Sequence, residues 1–178
     1  DSTGMVPTTS TTITLLLGDC LATTAMHQKK FSKEKFKVFH PGGNIGKSLL
    51  LAKDIMVANN KMPTINYNQT IKEALREMSA KKLGIVVILK KKFINGLVTD
   101  GDLRRGIKNY SSNKNLDQFM VKKPLTVNEN MPASKALAIM NEKKITSLLV
   151  VADKNFKKKD KILKGVIHIH FLLQNGIK

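Results

Sequence analysis

Thr64-Ile65-Asn66, then Ile71-Lys72-Glu73-Ala74-Leu75-Arg76-Glu77-Met78, then Ile85-Val86-Val87-Ile88-Leu89: this stretch decides the fold because it occurs twice. Shifted by 62 positions it returns as Thr126-Val127-Asn128 through Val151, with Ala74 on Ala136, Leu75 on Leu137, Met78 on Met140 and Lys82 on Lys144. The apolar run Ile85–Leu89 falls on Ser147–Val151. Each copy closes on a second apolar signal, Gly96-Leu97-Val98 and Gly165-Val166-Ile167, once a Lys-rich insertion is allowed for. A period of this size is one supersecondary unit duplicated, and such units bury their apolar faces against each other. Duplication also predicts a pseudo-symmetric cleft, a natural place for a ligand.

Working outward, the first copy reads as a strand at 64–66 and a helix over 70–81 with Ile71, Ala74, Leu75 and Met78 on one face. A buried strand follows at 84–89, then a hairpin, a strand at 95–99 and a helix from Asp100 to about Lys108. The second copy reads as strand 125–128, helix 132–143, strand 147–152, a Lys-rich hairpin, strand 163–168 and a closing helix to Asn175. The fold class is therefore α/β (of α+β type), the order β-α-β-β-α given twice. Upstream, residues 7–30 read as a helix entered through the hydroxyls of Thr8-Thr9-Ser10-Thr11-Thr12, which are expected to cap it. Lys29–Phe39 reads as basic and irregular. Pro41, Gly42, Gly43 and Gly46 mark a tight turn, with a short helix around Ser48–Ala52 beyond it. The polar stretch 109–115 reads as a boundary. The expected domains are 1–47, 48–110 and 111–178.

A chain of 178 residues that is 42% hydrophobic suffices for a real core. No apolar run approaches the roughly 20 residues of a membrane helix. The start, Asp1-Ser2-Thr3, has neither the basic nor the apolar part of a signal peptide and no initiator Met, so the chain is expected to begin inside a longer protein. One cysteine, Cys20, cannot form an internal disulfide, which fits a reducing, cytoplasmic setting. The net charge of +18 raises nucleic acid as a partner. Against it, Arg76, Arg104 and Arg105 are the only arginines, and there is no Trp and only two Tyr. Groove readers lean on the arginine fork and single-strand binders on stacking aromatics. An AT-rich genome is the economical source of the lysines.

Three groups of residues carry chemistry. In Gly96-Leu97-Val98-Thr99-Asp100-Gly101-Asp102-Leu103-Arg104-Arg105, a strand ends in a hydroxyl and a carboxylate follows three residues on at a helix start. A carboxylate so placed can accept from both hydroxyls of a ribose, and the helix N-terminus with the Thr99 hydroxyl can meet a phosphate, with Arg104 and Arg105 adding cations nearby. The same spacing also suits simple helix capping by Thr99 and Asp102. His168 and His170 share a strand face if the strand continues, as metal ligands do, but no third ligand is near, so no metal is expected. His40, on its Pro-Gly-Gly turn, titrates near neutrality and suits proton transfer.

These residues also carry a resemblance. Gly-x-x-Thr-x-x-Asp, closing a tandem β-α-β-β-α repeat over about residues 54–178, resembles the cystathionine-β-synthase (CBS) domain, whose tandem pairs bind adenosine nucleotides in many members. The second copy departs from that pattern: His168 stands for the hydroxyl and Phe171 for the carboxylate, so at most one nucleotide site is expected. Thr8–Thr12, Gly18-Asp19 and His40-Pro41-Gly42-Gly43-x-x-Gly46-Lys47 resemble the end of a sugar isomerase (SIS) domain. In that order, ahead of a CBS pair, the chain resembles the D-arabinose 5-phosphate isomerase family, which feeds lipopolysaccharide sugar synthesis. The resemblance implies interconversion of D-ribulose 5-phosphate and D-arabinose 5-phosphate, His40 as a catalytic residue, and Thr8, Ser10 and Thr11 facing the sugar phosphate or capping the helix. It implies no required cofactor, an adenine nucleotide as regulatory ligand, and a homo-oligomer, tetrameric in the parent. An SIS domain exceeds 47 residues, so this chain alone is expected to lack isomerase activity. Two other readings are a nucleotide-sensing module without chemistry and, third, a basic nucleic-acid binder.

Overall fold

The computed structural model describes residues 4–39, 43–109, 116–118, 120–158 and 160–177. The chain divides into two compact units, Asp1–Gly46 and Lys47–Lys178. In the first, α1 (Thr8–Gln28) runs for 21 residues. It starts at Pro7 with no side-chain cap, so the expected hydroxyl caps are not formed. Ser10 instead donates to Pro7 O (3.1 Å), Thr11 to Thr8 O (3.1 Å) and Thr12 to Thr8 O (2.8 Å). A hydroxyl inside the first turn faces carbonyls rather than free amides, which explains the reversal. Ile13, Leu15, Leu16, Leu17, Leu21 and Met26 are all exposed along α1. The basic segment read as irregular contains a helix, α2 (Lys33–Phe39), with the rings of Phe31 and Phe39 stacked 6.2 Å apart. Two short helices, α3 (Asn44–Ser48) and α4 (Ala52–Ile55), replace the single one expected around residue 50.

The second unit is the duplicated fold. In the first repeat β1 (Thr64–Asn66) pairs parallel with β2 (Ile85–Lys90), and β2 pairs antiparallel with β3 (Phe93–Thr99). Between them lies α5 (Ile71–Lys81), and α6 (Asp100–Asn109) closes the repeat. Thr70 and Glu73 form a reciprocal capping box that fixes where α5 begins. In the second repeat β4 (Thr126–Asn128), α7 (Ala133–Lys143), β5 (Ser147–Val151), β6 (Leu163–His168) and α9 (Ile169–Gln174) repeat that topology. A one-turn helix, α8 (Asp153–Phe156), sits in the loop read as a plain Lys-rich hairpin. Lys82 and Lys144 end α5 and α7 in the same left-handed conformation, φ 56° and 53°. The apolar strands β2 and β5 are almost wholly buried because both of their faces are covered: one by the helices of their own repeat, the other by a shared core of Leu83, Ile85 and Val87 with Leu149, Leu163 and Val166.

The repeats exchange their leading segments. Ala52 and Ile55 of α4 belong to the core of the second repeat, beside Val127, Leu137 and Leu148. The amides of Ala52 and Lys53 donate to Met131 O and Glu129 O at 2.7 and 3.0 Å. Val57 then adds to the edge of β6 through a pair of hydrogen bonds with Val166, 2.8 and 2.9 Å. Reciprocally, Leu116 and Met120 pack in the core of the first repeat, and Val121 pairs with Leu97 of β3 at 2.8 and 3.0 Å. The stretch 50–57, which precedes the first repeat in sequence, is thus a structural part of the second.

Candidate functional site

β3 delivers Thr99 to the start of α6, and a closed network forms there. The amide and hydroxyl of Thr99 both donate to Asp102 Oδ2, at 2.9 and 2.7 Å, and the Asp102 amide donates back to Thr99 Oγ1 at 3.2 Å. Arg105 Nη2 donates to the other carboxylate oxygen at 2.5 Å. Burial would push the Asp102 carboxyl up, but the Thr99 hydroxyl and amide and the Arg105 guanidinium outweigh it and hold the carboxyl below the usual carboxylate range. Arg104, singled out from the sequence, is not brought to Asp102; it pairs with Asp100 at 2.8 Å on the exposed side of α6. Both oxygens of Asp102 are therefore engaged. Arg105 is 72% exposed, so its hold is screened by water and a diol can take its place at small cost.

Thr99 lines a cavity of about 350 Å³. Ile85 and Leu97 join it from the first repeat, Val121, Lys123, Pro124 and Leu125 from the exchanged segment, and Lys144, Ile145, Thr146 and Ser147 from the α7–β5 joint. Apolar walls, three hydroxyls and two ammonium groups, with no carboxylate among the described lining residues, suit an anion that carries an apolar ring. Asp102 meets this cavity through Thr99 and is not itself in the wall. Sequence reasoning missed Lys123, Lys144, Thr146 and Ser147. The signal was present for Ser147, the one hydroxyl in the second apolar run, where the first has Ile85.

A second cavity, of about 830 Å³, occupies the pseudo-symmetric position. Residues 55–61 of the other leading segment line it, with Ala80, Lys81 and Leu83 of the α5–β2 joint and Phe171 of α9. Phe171 offers no acceptor for a diol. His168 ends β6 and caps α9, its Nδ1 accepting from the His170 amide at 3.3 Å. His170 is therefore helical, not one strand step beyond His168, and the two rings lie 4.8 Å apart. Burial, and then the neighbouring His170, push the His168 imidazole below its ordinary value. Among the described residues no group of three His, Cys, Asp or Glu side chains could hold a metal.

Of the remaining candidates, Ser10 lines a shallow cavity of about 480 Å³ with residues 4–7, 9 and 13, whereas Thr8 and Thr11 do not. All three are exposed, and the hydroxyls of Ser10 and Thr11 donate to backbone carbonyls of the helix start. His40, Pro41 and Gly42 lie outside the described residues. Among the described residues, no helix is long and apolar enough to cross a membrane.

Two exchanged β-α-β-β-α repeats with a Thr-x-x-Asp turn beside an inter-repeat cavity define a class. The CBS domain family matches residues 52–109 and again 116–170, and the chain belongs to it. It is 39% identical over 180 residues to arabinose 5-phosphate isomerase KdsD of Yersinia pestis, covering 98% of this chain and 52% of that one. The chain spans about half the length of the curated relatives it matches. Its fold is also that of the CBS domain pair of protein MJ0100 in complex with 5'-methylthioadenosine and S-adenosyl-L-methionine (TM-score 0.61, 20% identity, 73% of this chain and 99% of that one). CBSX2 in complex with AMP is similar in the same way (TM-score 0.59, 19% identity, 71% and 95%).

Proposed function

We propose that the chain is the C-terminal half of an aldose–ketose isomerase interconverting D-ribulose 5-phosphate and D-arabinose 5-phosphate, with its CBS pair as a regulatory module for an adenine nucleotide. The observation that carries this reading is the reach of the likeness. Identity to the isomerase extends over 98% of the chain and so includes residues ahead of 52, where the CBS match begins. A free-standing sensor needs neither the Thr-rich helix nor the His-Pro-Gly-Gly turn found there.

In this reading residues 1–47 are the end of an SIS domain, 48–110 and 111–178 the two CBS domains. Isomerisation moves a proton between adjacent carbons through an enediol, which needs a base and groups that stabilise oxygen charge. His40 is the proton-transferring candidate, while Thr8, Ser10 and Thr11 face the sugar phosphate. The parent is a cytoplasmic homo-tetramer serving lipopolysaccharide synthesis. The exposed apolar side chains of α1 support a larger domain around that helix, since burying such surface is what stabilises a helix in water. Nucleotide binding beside Thr99 and Asp102 is supported by the cavity chemistry and by the adenosine ligands of the two fold neighbours, whereas Arg104 is turned to Asp100 on the exposed side of the helix. Asp102 takes the ribose diol in exchange for Arg105.

The test has two arms. The purified 178-residue chain is expected to show no turnover of arabinose 5-phosphate, and the chain joined to its own upstream sequence is expected to show it and to lose it in His40→Ala. Calorimetric titration of the chain with AMP, ADP and ATP is expected to find one site, weakened in Asp102→Ala. Turnover by the short chain, or no nucleotide bound at all, contradicts the corresponding half of the proposal.

A further inference from the structure

Ser147 opens β5 and is only 8% exposed, and its Oγ is the one buried side-chain nitrogen or oxygen among the described residues that has no hydrogen-bond partner. Buried hydroxyls are ordinarily satisfied, so an orphan is a specific observation that calls for a cause. The cause is its position. Ser147 lines the Thr99 cavity, flanked there by Thr146, Lys144 and Lys123. At the equivalent place in the first repeat stands Ile85, in the wall of the same cavity, so an apolar residue fits this strand position and the hydroxyl is not needed for packing.

We infer that Ser147 is a specificity-determining residue of the Thr99 cavity, its hydroxyl closed off in the free protein and turned about the Cα–Cβ bond on binding to donate to a phosphoryl oxygen of the nucleotide. This rests on the nucleotide reading of that cavity. A phosphoryl group is the partner its chemistry selects: hydroxyl donors and two ammonium groups converge there with no carboxylate to repel an anion. Because the hydroxyl is unsatisfied in the free protein, ligand binding removes a standing penalty as well as forming a bond. A site built this way discriminates strongly against an analogue that leaves the group unpaired.

The experiment compares wild type and Ser147→Ala of the full 178-residue chain, by calorimetric titration with AMP and with adenosine and by thermal melting without ligand. The variant is expected to bind AMP roughly ten- to a hundredfold more weakly, to bind adenosine within about twofold of wild type, and to melt at or up to roughly 4 °C above it. Wild-type affinity of the variant for AMP, or an equal loss for adenosine, overturns the assignment while leaving the nucleotide reading intact. A lowered melting point overturns the claim that the hydroxyl is unsatisfied. If wild type binds neither AMP nor adenosine, the nucleotide reading fails first and this assignment with it.

Discussion

Gly165→Ala tests the exchange of leading segments. A Cβ built on Gly165 would lie 2.5 Å from Met56 Sδ, 2.7 Å from its Cγ and 2.9 Å from its Cβ. The backbone at Gly165 is not left-handed, so space and not conformation requires glycine there. Swinging a methionine tip aside relieves a clash at sulfur, but not one that reaches its own Cβ. Relief needs the backbone at Met56 to withdraw, and Val57 next to it is pinned to Val166 by two hydrogen bonds. Overpacking of this kind costs about 1–3 kcal/mol. Replacing glycine in a strand returns about 0.5–1 kcal/mol of chain entropy. Because the clash reaches Met56 Cβ, the cost falls in the upper half of that range, and a net loss of about 1–2.5 kcal/mol follows, a melting point lower by roughly 2–10 °C at this chain length. Gly96→Ala is the internal control. Its Cβ would meet Met120 Sδ at 2.6 Å but Cγ only at 3.1 Å, so the flexible tip absorbs most of the clash and the loss is smaller. Urea and thermal unfolding of both variants measure the difference. If Gly165→Ala is as stable as wild type, or less damaging than Gly96→Ala, the leading segment does not pack on β6 as described.

Asp102→Ala removes the closure of α6 and should cost about 1 kcal/mol in urea unfolding even without nucleotide, the usual worth of a cap. Its folded-state pKa lies below the unfolded value of about 3.9, so its stabilisation is full above that value and is lost as pH falls through the lower folded one. The stability gap between wild type and Asp102→Asn should therefore be full above about pH 4 and narrow as pH falls below it, and a gap that does not narrow between about pH 4 and pH 2 would contradict this. His168 has the same sign for a different reason. Its imidazole is held below the unfolded value of about 6.5, so the unfolded chain binds the proton first and stability declines as pH falls below that value. His168→Gln should flatten the melting-point profile between pH 7.5 and 5; an unchanged slope would exclude His168 as its source.

The repeat was legible because each copy states its own periodicity: Ile71, Ala74 and Met78 at helical spacing are all buried on α5, and the apolar run after them is buried on β2. Local pattern could not reveal that residues 50–57 cross to the second repeat. Leu51, Val57 and Val121 each make a single isolated bridge, and a one-residue pairing leaves no alternation to read. The helix at Lys33–Phe39 was hidden by its charge, although lysine is a good helix former. At the site, Thr99 and Asp102 were legible as a pair, and capping is what they do in the free protein. The sequence offered two adjacent arginines as cations for a phosphate, and the structure ties each to a carboxylate instead. Helix spacing separates them, since Arg105 lies three residues after Asp102 and Arg104 four after Asp100.

The exchange explains how one cavity keeps the Thr-x-x-Asp turn while the other has Phe171 in its place. Each cavity draws its leading segment and helix–strand joint from one repeat and the turn after the antiparallel strand from the other. The Thr99 turn therefore serves the joint of the second repeat, and the Phe171 turn serves the joint of the first. A substitution in one repeat alters the cavity walled by the other's leading segment, so the duplicated sites can diverge without disturbing either core. The larger cavity is walled by residues 55–61, and residues 50–53 just before them are hydrogen-bonded to the β4–α7 loop. Filling the Thr99 cavity loads Val121 and its pairing with Leu97; filling the Phe171 cavity loads Val57 and its pairing with Val166. Only the second of these pairings lies on the stretch of chain that continues directly from residues 1–46. Val166 joins the two halves of this arrangement, since it is a side chain of the core shared with Ile85, Val87 and Leu149 and also the backbone partner of Val57.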